Sequence, residues 1–335
     1  MLLLAIGSGL ESAPILAQEV VVFGDPADAE RWLRDENWWG ETLRGEQLQV
    51  PRALITGINP SWRKTAQALT VDEKKEVFYR FMLPLVVHAN GMVLERRARL
   101  EEVRRRIADG GSISEGELGD LRNGAVLLRV LSTADAAELA ADDPRTVAVI
   151  DELLYRLDVI PAGLVLGQAA YESGYGTSRF AVEGNALFGQ WTYGGQGLKP
   201  EQQRKELGDH RIASFDWPFD SVRGYYINLS SHPAYEDFRR LRAELKANNE
   251  PLASLALADG LIRYSERGQE YVDTLKAMIR KNRLELADNA VFRDEPMRFL
   301  IGAGDPESAA ELRTRIQEMR ASGELAEIVG RMRLE

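Results

Sequence analysis

Glu172 directly follows a segment that is so apolar that we expect it to lie inside the protein. Residues 159–171 are nearly all apolar or small, and Gln168 is the only strongly polar side chain among them. A proline near the start suits a first helical turn, and Gly174 and Gly176 end the helix. Because burial disfavours the charged form of a carboxyl group, it raises the pKa of that group. Glu172 is therefore a candidate general acid, of the kind that protonates the leaving oxygen in glycoside hydrolysis.

The residues after Glu172 supply groups that suit a sugar. Segment 185–191 reads Asn-Ala-Leu-Phe-Gly-Gln-Trp, which combines an amide, a tight turn and an aromatic ring. Aromatic faces are good platforms for sugar rings, and an asparagine amide suits an N-acetyl group. Taken singly, Tyr175, Trp191 and Tyr193 are more typical of packing, and a glutamate at a helix end commonly turns outward into water. Together, these neighbours favour a carbohydrate cleft.

Two motifs in the central part of the chain resemble the signature of a known enzyme family. Residues 172–178 read Glu-Ser-Gly-Tyr-Gly-Thr-Ser, and residues 185–189 read Asn-Ala-Leu-Phe-Gly. In this order they resemble the signature ES-x-(W/Y)-G-x-S … N-x-(L/I)-FG of the endo-β-N-acetylglucosaminidases of glycoside hydrolase family 73. Further segments resemble the Bax-type branch of that family, namely 215–225, 231–242 and 263–271. The resemblance covers about residues 146–287 and extends to the helix that precedes them.

The resemblance implies both a fold and an activity. The fold would be α+β but mainly helical and lysozyme-like, with the acid on a helical lobe and a small β lobe over the cleft. The activity would be cleavage of the β-1,4 bond after N-acetylglucosamine in peptidoglycan, with Glu172 as general acid. The motif positions and their aromatic neighbours give six candidate substrate-binding residues: Tyr175, Ser178, Asn185, Phe188, Trp191 and Tyr264.

The group that activates the nucleophile is left open. The family places a second acid in the β lobe, and the candidates there are Glu206 and Asp209, with Glu183, Glu201 and Asp216 behind them. Spacing from Glu172 favours Glu206. A distant second acid would leave room for a water and predict inversion. Alternatively the N-acetyl group of the substrate attacks, positioned by Tyr264 or Tyr271.

Composition excludes several other classes of protein. The 335 residues carry 42 Lys and Arg against 52 Asp and Glu, a formal charge of -10, which argues against broad nucleic-acid binding. The chain has no cysteine, so disulfides, zinc ribbons, thiolate nucleophiles and iron–sulfur clusters are excluded. Its three histidines are far apart in sequence, which disfavours an imidazole metal site. We expect no metal and no cofactor.

The pattern along the chain predicts four regions. Residues 1–68 are interpreted as a leader or arm, which over 18–68 is weakly structured and packs through its tryptophans. Residues 69–145 are interpreted as a helical N-terminal region, 146–287 as the lysozyme-like domain and 288–335 as a tail. The apolar stripe of 71–108 predicts a helix that Pro84 either kinks or splits in two. The basic run within that helix is interpreted as a solvated face, with an anionic-ligand site as the alternative.

Shorter signals refine these regions. Residues 114–117 fit a capping box, and 177–217 predict loops and short strands before helices return. In the tail, 297–303 predict a short strand and 309–332 a helical pair that Gly323 breaks. The protein partners of the chain are not predictable from these patterns.

The first residues suggest a location. Segments 1–7 and 13–17 are similar to the apolar and cleavage regions of a signal peptide, but the positively charged start is missing, so a buried N-terminal segment is an equal alternative. No run of about 18 apolar residues is present, and no stable membrane span is expected. With a peptidoglycan substrate, we expect a periplasmic or cell-envelope protein. Two further functions stay open: a lytic transglycosylase on the same fold, and an inactive glycan-binding or scaffolding protein.

Overall fold

Helices make up most of the described chain. The structure is a computed structural model and describes residues 19–39, 47–192, 197–199 and 211–324. The helices are α1 (Pro26–Asp35), α2 (Trp62–Thr65), α3 (Val71–Ala108), α4 (Glu115–Leu127), α5 (Thr133–Glu138), α6 (Thr146–Arg156), α7 (Ala162–Ser173), α8 (Arg179–Gly184), α9 (Pro218–Ser231), α10 (Glu236–Ala247), α11 (Ser254–Leu257), α12 (Gln269–Lys281) and α13 (Pro306–Ser322). The strands are β1 (Glu19–Phe23), β2 (Gln49–Val50), β3 (Ala53–Ile55), β4 (Trp191–Thr192), β5 (Gly197–Leu198), β6 (Arg211–Ala213), β7 (Val291–Phe292) and β8 (Arg298–Gly302). The predicted capping box is present, with Ser114 and Glu117 bonding reciprocally at the start of α4.

Helix α7 runs through the centre of the main core, as its apolar sequence predicts. Gly163 and Gly167 let it approach its neighbours closely, because a Cβ at Gly163 would lie 2.4 Å from the carbonyl oxygen of Leu284. Gly174 ends the helix with a left-handed φ of 59°. The last turn of α7, which carries Glu172, is therefore held by packing along the whole helix.

Helix α3 joins two cores. Its first half, with Pro84 inside it, packs against α7 and α9, and its second half packs with α4 and α6 around Val103, Leu118 and Ile150. By length and composition α3 could cross a membrane, but 56% of its apolar window is buried inside this structure, and a core helix passes the same test.

The basic run of α3 is paired with neighbouring helices. Arg97 donates to the carbonyl oxygens of Leu154 and Leu157, both at 2.6 Å, and Arg104 pairs with Asp151 of α6. Arg106 pairs with Glu117 of α4. These arginines connect α3 to the helices beside it.

The described parts of the two terminal regions meet in one sheet. Strand β8 lies between β1 and β3 and is parallel to both, and α13 packs on β1 through Val22, Ala309 and Ile316. A weakly structured arm is therefore the wrong interpretation of residues 19–39 and 47–68. The strand predicted at 297–303 and the helix that stops at Gly323 are confirmed as β8 and α13. The second helix of the tail and the segments at 1–7 and 13–17 lie outside the described residues.

A small antiparallel sheet follows α8, in the order β4-β6-β5. It is the predicted β lobe, inserted between α8 and α9. The predicted fold class, mainly helical with a small β lobe, is confirmed.

Candidate active site

Glu172 lies in the last turn of α7 and faces the start of α12. The hydroxyl of Tyr271 donates a hydrogen bond to Glu172 Oε1 at 3.1 Å. Burial raises the pKa of Glu172, and the hydrogen bond from Tyr271 opposes that rise. The sequence predicted the direction of this shift from the apolar helix. A raised pKa keeps more of the carboxyl protonated at a given pH.

The second oxygen of Glu172 faces the Phe188–Gly189 turn. A Cβ built on Gly189 would lie 3.9 Å from Glu172 Oε2, and Gly189 itself is exposed with φ +61°. Within the described ranges, no side chain or backbone group is hydrogen bonded to Oε2. This oxygen is therefore the one that a substrate can meet.

A buried chain of hydrogen bonds leads to the other oxygen. Tyr225 Oη donates to Gln168 Oε1, and Gln168 Nε2 donates to Tyr271 Oη at 2.8 Å. Tyr271 in turn donates to Glu172. Gln168 precedes Glu172 by one helical turn, so both side chains lie on one face of α7. Gln168, Tyr225 and Tyr271 are almost entirely buried, at 0%, 1% and 1% exposure.

Stacked aromatic rings fix the groups around this chain. The Tyr264 ring stacks on Tyr271 with centroids 5.5 Å apart and 10° between the planes, and Phe188 stacks on Tyr225 at 4.2 Å and 18°. Tyr264 Oη donates to the carbonyl oxygen of Phe188 at 3.2 Å. Tyr264 therefore connects the backbone of Phe188, next to Gly189, with Tyr271 in the first turn of α12.

Asn185 and Ser178 hold the backbone of the motif. Asn185 Oδ1 accepts from the backbone N–H of Ile58, and its Nδ2 donates to the carbonyl oxygens of Phe215 and Asp216, at 3.0 to 3.1 Å. Ser178 caps α8 by accepting from the N–H of Ala181. Both side chains support the loop, and their contact with substrate stays a prediction.

Tyr175 packs against the N-terminal region. It adopts φ +59°, an uncommon conformation for a bulky residue, and lies between two glycines that also have positive φ. Its ring contacts Phe78 and Tyr79 of α3 edge-on at 5.8 and 5.9 Å, and Lys74 Nζ lies 5.4 Å from its centroid. Its carbonyl oxygen accepts from Trp62 Nε1 at 3.0 Å. The turn after Glu172 is thus braced by α2 and α3.

Two of the five candidates for the second acid, Glu183 and Asp216, lie within the described residues. Glu206 and Asp209, with Glu201 behind them, fall outside the described residues, as does Tyr193. Glu183 and Asp216 are exposed, and Glu183 pairs with Arg179 on α8. Trp191 pairs with Ile212 through its backbone in the β lobe. The choice between these acids stays a prediction.

Three residues with a place at the site escaped the sequence-based assignment: Gln168, Tyr225 and Gly189. A signal existed for Gln168, because it is the lone amide in an apolar helix and precedes Glu172 by four positions. Tyr225 lies in the segment 215–225 that carries the resemblance, but nothing in the sequence places it beside α7.

Comparisons with known proteins match the part of the chain that contains Glu172. Residues 148–284 match the glucosaminidase family, described as mannosyl-glycoprotein endo-beta-N-acetylglucosaminidase. The chain is similar to the protein named bax of Escherichia coli K12, with 29% identity over 214 residues that cover 64% of this chain and 72% of that protein. No solved structure matches the chain. The similarity to the glucosaminidase family therefore covers the part of the chain that holds Glu172 and Tyr271.

Proposed function

We propose that the protein is a peptidoglycan hydrolase that cleaves the β-1,4 bond after N-acetylglucosamine, with Glu172 as general acid. One observation carries the proposal: a half-buried glutamate has one oxygen held by Tyr271 and the other open beside Gly189. The family match to residues 148–284 supports a glycan substrate. A peptidoglycan substrate also implies a periplasmic or envelope location.

The geometry suggests how the acid works. Protonated Glu172 gives the proton on Oε2 to the glycosidic oxygen as the bond to the leaving sugar breaks. The carboxylate that remains is stabilised at Oε1 by the Tyr271 hydroxyl. Because the hydroxyl protons of Tyr271 and Tyr264 are already donated within the protein, we assign Tyr271 to the acid instead of to the N-acetyl group of the substrate. Glu206 is our first choice for activating the water, and Asp209 our second.

A lytic transglycosylase is the second candidate. Such an enzyme uses one glutamate as acid and then as base, and in the described part of the chain the hydrogen-bond partner of the Glu172 carboxyl group is Tyr271, with no second carboxyl bonded to it. The product would be a 1,6-anhydro sugar.

Product analysis distinguishes the candidates. Purified peptidoglycan is incubated with the full chain, the products are reduced with borohydride, and the muropeptides are identified by mass spectrometry. We expect reduced N-acetylglucosamine ends, each product having gained one water. Anhydro ends would establish the transglycosylase. Reduced muramic acid ends would show that the bond after N-acetylmuramic acid is cleaved instead. Binding without any product would indicate a glycan-binding protein.

A further inference from the structure

We propose that Gln168 is a positioning residue that fixes which oxygen of Glu172 carries the transferable proton. The inference rests on the proposed function of Glu172 as an acid. It follows from the directions of three consecutive hydrogen bonds, from Tyr225 through Gln168 and Tyr271 to Glu172.

Tyr225 fixes the orientation of the Gln168 amide. The Tyr225 hydroxyl is fully buried, and the acceptor that the described residues offer to its proton is Gln168 Oε1. If the amide were flipped, its NH₂ would face Tyr225, and that hydroxyl proton would have no partner among the described groups. A buried donor without a partner is costly. The carbonyl end of Gln168 is therefore held toward Tyr225.

The Gln168 amide then fixes the direction of the next bond. Its NH₂ group can only donate, so Tyr271 Oη accepts from it at 2.8 Å. The single proton of the Tyr271 hydroxyl is left to point at Glu172 Oε1, 3.1 Å away. Tyr271 thus acts as a donor to the acid.

The consequence appears on Glu172. An oxygen that accepts from Tyr271 cannot direct its own proton at the same hydroxyl, so the acid proton is placed on Oε2. Oε2 is the oxygen beside exposed Gly189, where a glycosidic oxygen can approach. Gln168 therefore keeps the proton on the side of the cleft without touching the substrate.

Two variants remove this control in different ways. Gln168→Leu deletes the donor to Tyr271, and Tyr225→Phe keeps Gln168 but frees its amide to flip. In Tyr225→Phe the flipped amide oxygen can take the Tyr271 proton, and Tyr271 can then accept from Glu172 Oε1, which stabilises the protonated acid in an unproductive arrangement. In Gln168→Leu the Tyr271 hydroxyl is no longer held as a donor by a second hydrogen bond, which weakens its bond to the Glu172 carboxylate. Val165→Ala, in the same buried helix but outside this chain of bonds, serves as the control for a loss of packing.

Two readouts are measured for each variant: the pH dependence of kcat and KM on peptidoglycan fragments, and the titration of the Glu172 carboxyl by carbon NMR without substrate. We expect kcat to fall by about tenfold in Gln168→Leu, and less in Tyr225→Phe, with KM unchanged. The alkaline limb and the carboxyl titration should both move to higher pH. Val165→Ala should change stability without moving either one.

The outcomes are separable. A higher carboxyl pKa in Gln168→Leu and Tyr225→Phe supports the positioning role even if the wild-type protein releases no product, a result that would reject only the proposed function. An unchanged titration of Glu172 in both folded variants would overturn the positioning role. If Gln168→Leu does not fold, Tyr225→Phe decides by the same criterion.

Discussion

A carboxyl group lies at each end of α7, and burial raises the pKa of both groups. The two groups differ in the number of hydrogen bonds that they accept. At the N-terminal end, Asp288 accepts from the N–H of Gly163 at 3.0 Å and from the N–H of Ser254 at 2.8 Å, and also from the Ser254 hydroxyl. At the C-terminal end, Glu172 accepts one bond, from Tyr271. Both oxygens of Asp288 are occupied, whereas Glu172 keeps one open.

The position on the helix adds to this difference. Unpaired N–H groups at a helix N-terminus favour an anion, and carbonyl groups at a C-terminus disfavour one. Asp288 therefore has partners for its charged form, and Glu172 is biased toward its protonated form. Burial alone therefore does not make an acid reactive. An open oxygen and a poorly supported charge separate the candidate catalyst from the structural carboxyl.

The largest effect is expected from Glu172→Gln. The glutamine can keep the hydrogen bond from Tyr271 but has no acidic proton to transfer. We expect product release from peptidoglycan to fall by about 10²–10⁴-fold or more, with binding of fragments retained. Glu285→Gln, the same change at an exposed site near Asp288, is the control. Near-parental turnover in a correctly folded Glu172→Gln variant would reject the acid assignment.

Asp288→Asn should affect stability instead of turnover. The amide would set its NH₂ group against a donor, so at least one of the three bonds to Asp288 is lost, and we expect a loss of about 1–3 kcal/mol in the free energy of unfolding. Urea titration measures the loss, while activity per folded molecule should stay near that of the parent. If Asp288→Asn kept the stability of the parent but lost activity, Asp288 would have a functional role and not the structural one assigned to it.

Tyr271→Phe should have a smaller effect on turnover than Glu172→Gln. It removes the donor that lowers the pKa of Glu172 and supports the carboxylate after proton transfer. We expect kcat to fall by about tenfold and the alkaline limb to move to higher pH. Tyr155→Phe, whose hydroxyl bonds to Glu236 away from the cleft, is the matched control. A limb that moves to lower pH would contradict the assigned bond direction.

The smallest effect is a pH-dependent gain in stability from Glu172→Gln. The pKa of Glu172 is raised above its usual value of 4.5 in the folded protein, so ionisation favours the unfolded chain as the pH rises above that value. The variant should match the parent near pH 4, where both side chains are neutral, and exceed it at neutral pH. Urea unfolding at several pH values measures the difference. A difference that does not vary with pH would show that the carboxyl is not destabilised by burial.

Local patterns predicted the parts of this site that depend on neighbouring residues. The apolar run predicts that α7 is buried, and the two glycines predict where it ends. Together they predict that Glu172 lies in buried surroundings. The assignment of Tyr271 to the site rests on the resemblance. No local pattern indicates its contact with Glu172, because the two residues are far apart in sequence. The role of Gln168 was not predictable, since Tyr225 reaches it from 57 positions away.

The terminal regions show the same limit on a larger scale. The local sequence pattern predicts β8, but it indicates only a weakly structured arm where β1 and β3 form. Their pairing depends on β8, which lies near the other end of the chain. Parallel strands with such a separation have no local turn signal.

The most direct test compares two titrations of one group. The alkaline limb of kcat/KM reports the acid of the free enzyme, and carbon NMR reports the Glu172 carboxyl in the same protein without substrate. We expect the two pKa values to coincide, above the usual value for glutamate, and Glu172→Gln to remove both the activity and the assigned signal. Activity that falls at a pH where Glu172 does not titrate would contradict this expectation.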